Sequence, residues 1–69
     1  MRVDDLKALQ NWLDRIGSLP GYQRDLLENA IYCLENGSSY RAEQSLRTMA
    51  RNYRNDGNPN AAAAVERLL

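Results

Sequence analysis

Three glycines, Gly17, Gly37 and Gly57, stand twenty residues apart, and each is followed by a polar residue able to cap a helix: Ser18, Ser38 and Asn58. Glycine just past a helix end takes up the left-handed backbone that closes it. Serine or asparagine next to it offers a side-chain oxygen to the free N–H groups of the helix that follows. A chain punctuated in this way has room for helices of about four turns joined by short reversals, and helices so joined run antiparallel. Leu6, Leu26 and Leu46 follow the same period, as do Leu13, Cys33 and Tyr53, Ala30 and Ala50, and Ala42 and Ala62. Either an internal repeat or a bundle of helices of equal length produces such a pattern.

Apolar periodicity fills in the segments between these stops. Leu6, Leu9, Trp12, Leu13 and Ile16 make one stripe of a helix from about Val3 to Ile16, with Asp4 and Asp5 at the positive end of its dipole. A second helix, from about Pro20 to Glu35, has a wider apolar arc of Tyr22, Leu26, Leu27, Ala30, Ile31, Cys33 and Leu34, as expected of a helix with neighbours on two sides. Its other face holds Asp25, Glu28, Asn29, Tyr32 and Glu35. The third helix, capped by the hydroxyl of Ser38 or Ser39, runs to Asn55 and turns Ala42, Leu46, Met49, Ala50 and Tyr53 to one side. Asn58 and Pro59 then supply an N-cap and a first helical position for a short alanine-rich helix, in which Ala61, Val65 and Leu68 share a face. No sustained alternation of period two signals a strand. The fold expectation is all-α: a single domain over residues 1–69, a small antiparallel helical bundle of three long helices plus a short C-terminal helix, with about twenty residues per helix.

Leu46, Ala50, Tyr53, Gly57 and Ala62 also sit at the relative positions where the tetratricopeptide family places its large apolar, small, tyrosine, glycine and alanine residues. The portion from Leu46 onward therefore resembles half a tetratricopeptide unit. The resemblance covers under half of the chain and departs at Glu66, where that family keeps an apolar residue. It implies a mode of helical-hairpin packing.

The chemistry on offer is narrow. There is no histidine, the commonest general base and metal ligand. Cys33 is the only cysteine and lies on the apolar arc, where a thiol is inert. Asp4 and Asp5 are adjacent and so diverge on a helix, while Asp25 and Glu28 share a face without the further oxygen ligands a cation needs. Gly17 and Gly21 flank a turn that lacks the lysine and spacing of a phosphate loop. The expectation is a protein that is not an enzyme and holds no cofactor or metal.

What remains is a polar face. Opposite the core stripe of the third helix stand Tyr40, Gln44, Arg47, Arg51 and Arg54, with Tyr32 adjoining from the second helix; Trp12, Tyr22 and Tyr53 are expected in the core. Glu43 is placed to support Arg47 one turn on. Tyrosine and arginine are the residues over-represented at protein interfaces, and guanidinium groups suit carboxylates or phosphates. The expected function is a protein-interaction module, an adaptor or inhibitor that covers a surface of another protein. The alternative is a nucleic-acid-binding regulator using the same helix, which three or four arginines in a chain with nine basic and nine acidic residues support weakly. The charges are segregated: residues 1–35 carry four basic and six acidic groups, residues 36–69 five and three. A chain of 69 residues buries a thin core. A homodimer is therefore expected, the acidic face of one second helix meeting the basic face of its partner's third, with Leu27 and Ile31 supplying apolar contact. One cysteine and no apolar run of membrane length make the cytoplasm the expected location.

Overall fold

The computed structural model describes all residues, 1–69, and contains four helices: α1, Val3–Arg15; α2, Gly21–Glu35; α3, Ser39–Asn55; and α4, Pro59–Glu66. The chain is all-α, a bundle in which α2 packs on α1 and α3, α3 packs on α4, and α1 touches α4. The twenty-residue unit is a helix and its turn together. The three long helices have 13, 15 and 17 residues, shorter than the expected twenty.

The three reversals share one hydrogen-bond pattern. After α1, the Gly17 N–H donates to the Asp14 carbonyl and the Ser18 N–H to the Leu13 carbonyl; after α2 the pairs are Gly37 to Leu34 and Ser38 to Cys33; after α3 they are Gly57 to Arg54 and Asn58 to Tyr53. This is the Schellman closure, and it needs positive φ at each glycine: +70°, +81° and +76°. A Cβ at these positions would meet nothing within 4 Å, so backbone conformation and not crowding selects glycine. The carbonyls that close the turns belong to Leu13, Cys33 and Tyr53, all buried, which explains why those positions share the period.

Helix starts are more varied. Asp5 accepts a hydrogen bond from the Arg2 N–H at 3.1 Å, and Asn58 caps α4 by accepting from the Ala61 N–H at 3.3 Å, with Pro59 at its first position. Pro20 precedes α2 as its cap. Ser38 is the cap of α3 by position, but its hydroxyl makes no capping bond.

The core comprises sixteen buried apolar residues drawn from all four helices and Leu19 of the first turn. Every residue of the expected α3 stripe is among them. Between α2 and α3 runs a polar seam. The Gln23 amide, fully buried, donates to the Met49 carbonyl at 3.1 Å; Ser45 Oγ donates to the Leu26 carbonyl at 3.0 Å and accepts from the Asn29 amide at 3.1 Å. Position 23 thus lies against 49 and position 26 against 45, which makes the two helices antiparallel. No buried side-chain nitrogen or oxygen lacks a partner, so the seam carries no desolvation penalty left uncompensated.

Five residues differ in burial from expectation. Leu27 is fully buried and Ile31 is 9% exposed, so both belong to the chain's own core and have almost no surface left to give a dimer interface. The wide arc of α2 is filled from within, by α1 on one side and α3 on the other. Trp12, expected in the core, is 38% exposed, because the only helix beside it on that flank is the short, alanine-rich α4. Ile16 and Tyr22 are likewise exposed: Ile16 lies just past the end of α1, at the start of the turn, and Tyr22 reaches outward to donate a hydrogen bond to Asp56. The chain exposes 4221 Å², close to the roughly 4,400 Å² expected of a compact chain of its mass.

Candidate functional site

At about 100° per residue, the outward side of α3 is centred on Tyr40, Arg47 and Arg51. These three and Gln44 are exposed, Tyr40 to 69%. The opposite side of the same helix is fixed in the core by Ala42, Leu46, Met49, Ala50 and Tyr53, so the exposed groups stand on a rigid support.

The structure divides the expected face. Arg47, Arg51 and Arg54 border a shallow cleft between α3 and the end of α4, which is completed by Asn55, Glu66 and Leu69. Gln44 borders a second cleft on the α2 side together with Arg41, Asn29 and Thr48, with Cys33 and Ser45 at its base. Arg41 is therefore a basic group of this face that periodicity did not single out; it lies about 100° round the helix from Tyr40, at the boundary with α2. Tyr32, 65% exposed, lines neither cleft. It stands on α2 between Glu28 and Glu35, on the acidic face with Asp25.

The arginines differ in what they face. Arg54 is held by Glu66 in a two-pronged contact, Nε to Oε2 at 3.1 Å and Nη2 to Oε1 at 2.5 Å. The paired carboxylate raises the Arg54 pKa, and the guanidinium holds that of Glu66 below the ordinary carboxylate value. Arg54, expected among the binding groups, already has its carboxylate. Glu66, the departure from the tetratricopeptide pattern, is the residue that supplies it. The one other ion pair in the chain joins Arg24 to Asp14 at 2.6 Å. Arg41, Arg47 and Arg51 have no carboxylate within ion-pair distance, and Glu43 does not close on Arg47.

At the base of the bundle two tyrosines tie the first turn to the end of α3. Tyr53 donates to the Ser18 carbonyl at 2.6 Å, and Tyr22 donates to the Asp56 carboxylate. Burial pushes the Tyr53 phenol up to about 12, and the hydrogen bond to Asp56 raises that of Tyr22. These contacts position α3 and are not part of its outward row. Cys33 is buried, as its place on the apolar arc implied. No three His, Cys, Asp or Glu side chains converge as a metal site, and no helix is long and apolar enough to cross a membrane.

Gln23 and Ser45, the two polar residues that set the α2–α3 register, are not marked out by apolar periodicity, because Gln23 is a polar residue in the middle of the α2 arc and Ser45 sits at the margin of the α3 stripe. Their signal was there in outline: each shares its helix's inward arc with leucines or alanines. No family model matches the chain, and neither a curated protein nor a solved structure matches it.

Proposed function

We propose that the chain is a small, non-catalytic protein-interaction module, an adaptor or inhibitor that works by covering an acidic surface of another protein with the outward row of α3. The observation that carries this reading is the contrast among the arginines. Arg47 and Arg51 stand one turn apart, exposed and without a carboxylate, beside Tyr40 and Gln44, while Arg54 next to them is already paired. Planar guanidinium groups held at fixed spacing on a packed helix bind carboxylates two-pronged. An exposed tyrosine beside them adds apolar contact at small entropic cost. The reading places the module in the cytoplasm, where a single thiol stays reduced, and as a homodimer it would present two such rows.

A nucleic-acid ligand is the weaker reading, because three free arginines (Arg41, Arg47 and Arg51) in a chain with nine basic and nine acidic residues are a small footprint for a phosphate backbone. The test pairs a photo-crosslinking residue at position 40 with retention on immobilised duplex DNA and heparin. A discrete protein adduct from host extract, lost in an Arg47→Ala/Arg51→Ala variant of unchanged helicity, supports the module. Retention on duplex that falls steeply with salt, with no protein adduct, overturns it in favour of nucleic acid.

A further inference from the structure

The flank of α1 beside its buried stripe, on the side of α4, carries a pattern that the α3 row does not use. Asp5, Ala8, Trp12 and Arg15 are spaced three, four and three residues apart, the spacing of a coiled-coil seam, and all four are exposed. They fall within an arc of about 80°. Trp12 and Ala8, with Leu9 and Asp5, form the α1 wall of a groove of about 680 Å³ whose other wall, from α4 and the residues after it, holds Ala63 and Ala64 together with Arg67. Trp12 is the one tryptophan of the chain and is exposed to 38% at the edge of this groove.

We propose that this seam is the contact between two copies of the chain, paired antiparallel through α1 about a two-fold axis level with Gln10. The argument is the symmetry of the pattern. Asp5 and Arg15 lie equally far from Gln10 on either side, and so do Ala8 and Trp12. When α1 meets a second α1 running the other way, each Asp5 faces the partner's Arg15, and each Trp12 faces the partner's Ala8. Each contact is then made twice, as a two-fold interface requires. The large side chain meets the small one in a knob-into-hole arrangement. The charges are available for it. Arg15 belongs to no ion pair in the chain, and Asp5 uses only one oxygen, Oδ2, to accept from the Arg2 N–H. A foreign partner would have no need of a pattern that is its own complement when reversed. The inference is independent of the α3 reading: α1 packs on α2 and α4 and not on α3, so pairing leaves both α3 rows uncovered.

Sedimentation equilibrium and tryptophan emission, measured over one concentration series, test it. The mass is expected to climb from 7.9 kDa toward twice that value, with the emission shifting to the blue over the same range as Trp12 leaves water. Asp5→Arg and Arg15→Asp are each expected to weaken self-association about tenfold or more, because each puts like charges together twice. Mixing the two variants restores opposite charges at both contacts and is expected to recover association as a heterodimer. Both substitutions also oppose the α1 dipole, but a loss due only to a weakened helix is not rescued by mixing. Ala8→Glu, at an exposed position, gives a second check: association is lost with helicity retained. A mass that stays at 7.9 kDa throughout, or single variants that fail to associate when mixed although both remain helical, overturns the proposal.

Discussion

The pair α2–α3 and the pair α1–α4 are built from the same local signals and end differently. Between α2 and α3 the apolar faces meet along their length, and a fully bonded seam of Gln23, Ser45, Asn29 and Asn52 runs through the contact. Between α1 and α4 contact is slight, and a groove bordered by Trp12 lies open. The α1 stripe is not weaker in the sequence, and Leu6 and Leu13 are as deeply buried as Leu46. What differs is the neighbour. α3 gives α2 a partner of 17 residues with large side chains, whereas α4 offers α1 eight residues, four of them alanine. Burial is a property of two surfaces, and periodicity describes only one of them.

The comparison is broken most directly by truncation on each side. Leu46→Ala empties a fully enclosed site and is expected to cost about 2–5 kcal/mol, most of the stability a domain of this size has. Trp12→Ala removes more atoms but from a site with one wall missing, so it is expected to cost less than Leu46→Ala. Chemical denaturation of the two variants decides this. Equal losses would mean that the α1–α4 groove is as closed as the α2–α3 contact, and that the contrast drawn between them is wrong.

The same contrast explains what could be read from the sequence. The glycine stops, the number of helices and the whole α3 stripe were legible because they depend on backbone preference and on one face of one helix. Leu27 and Ile31 read as a dimer contact in the sequence because a wide arc looks unfilled until α1 and α3 are both seen to cover it. Trp12 reads as core because a tryptophan in a continuous stripe is ordinarily covered, and the shortness of its neighbour on that flank lies about fifty residues further along. Of the candidate site, Tyr40, Gln44, Arg47 and Arg51 were visible as an outward row. The capture of Arg54 by Glu66 was not, since it depends on how α4 folds back along α3. Tyr32, on the polar face of the neighbouring helix, is exposed as that face implies.

The two regions are tied together by Tyr53, whose hydroxyl reaches from α3 to the Ser18 carbonyl in the turn between α1 and α2. Tyr53→Phe is expected to cost about 0.5–1.5 kcal/mol at neutral pH, the ordinary worth of such a bond. It also predicts a pH signature. The folded chain holds the phenol at about 12, above the ordinary tyrosine value of about 10, so folding favours the protonated form. The stabilisation is complete below about pH 10, and it is lost as the pH rises from there toward about 12, where the unfolded chain releases this proton first. Denaturation midpoints measured across that window should fall for the parent and fall less for Tyr53→Phe. Identical slopes would show that the alkaline loss arises elsewhere, Tyr22 beside Asp56 being the other raised phenol.

The smallest expected effect lies on the outward row itself and is informative for that reason. Arg47 and Arg51 touch no carboxylate and cap no helix, so replacing both with alanine is expected to move stability by at most about 0.5 kcal/mol while removing the two free guanidinium groups that the proposed docking needs. Arg54→Ala is the matched control. It breaks the Arg54–Glu66 pair, which is solvent-exposed and so contributes little to folding, but it leaves Arg47 and Arg51 in place and frees Glu66 beside them. If docking depends on unpaired arginine, the Arg47/Arg51 variant loses partner binding far more than Arg54→Ala does, with the two melting curves nearly superimposed. If instead Arg54→Ala is the more damaging, the paired arginine is the one the partner uses, Glu66 must be displaced for it to do so, and the cleft between α3 and α4 becomes the site in place of the outward row.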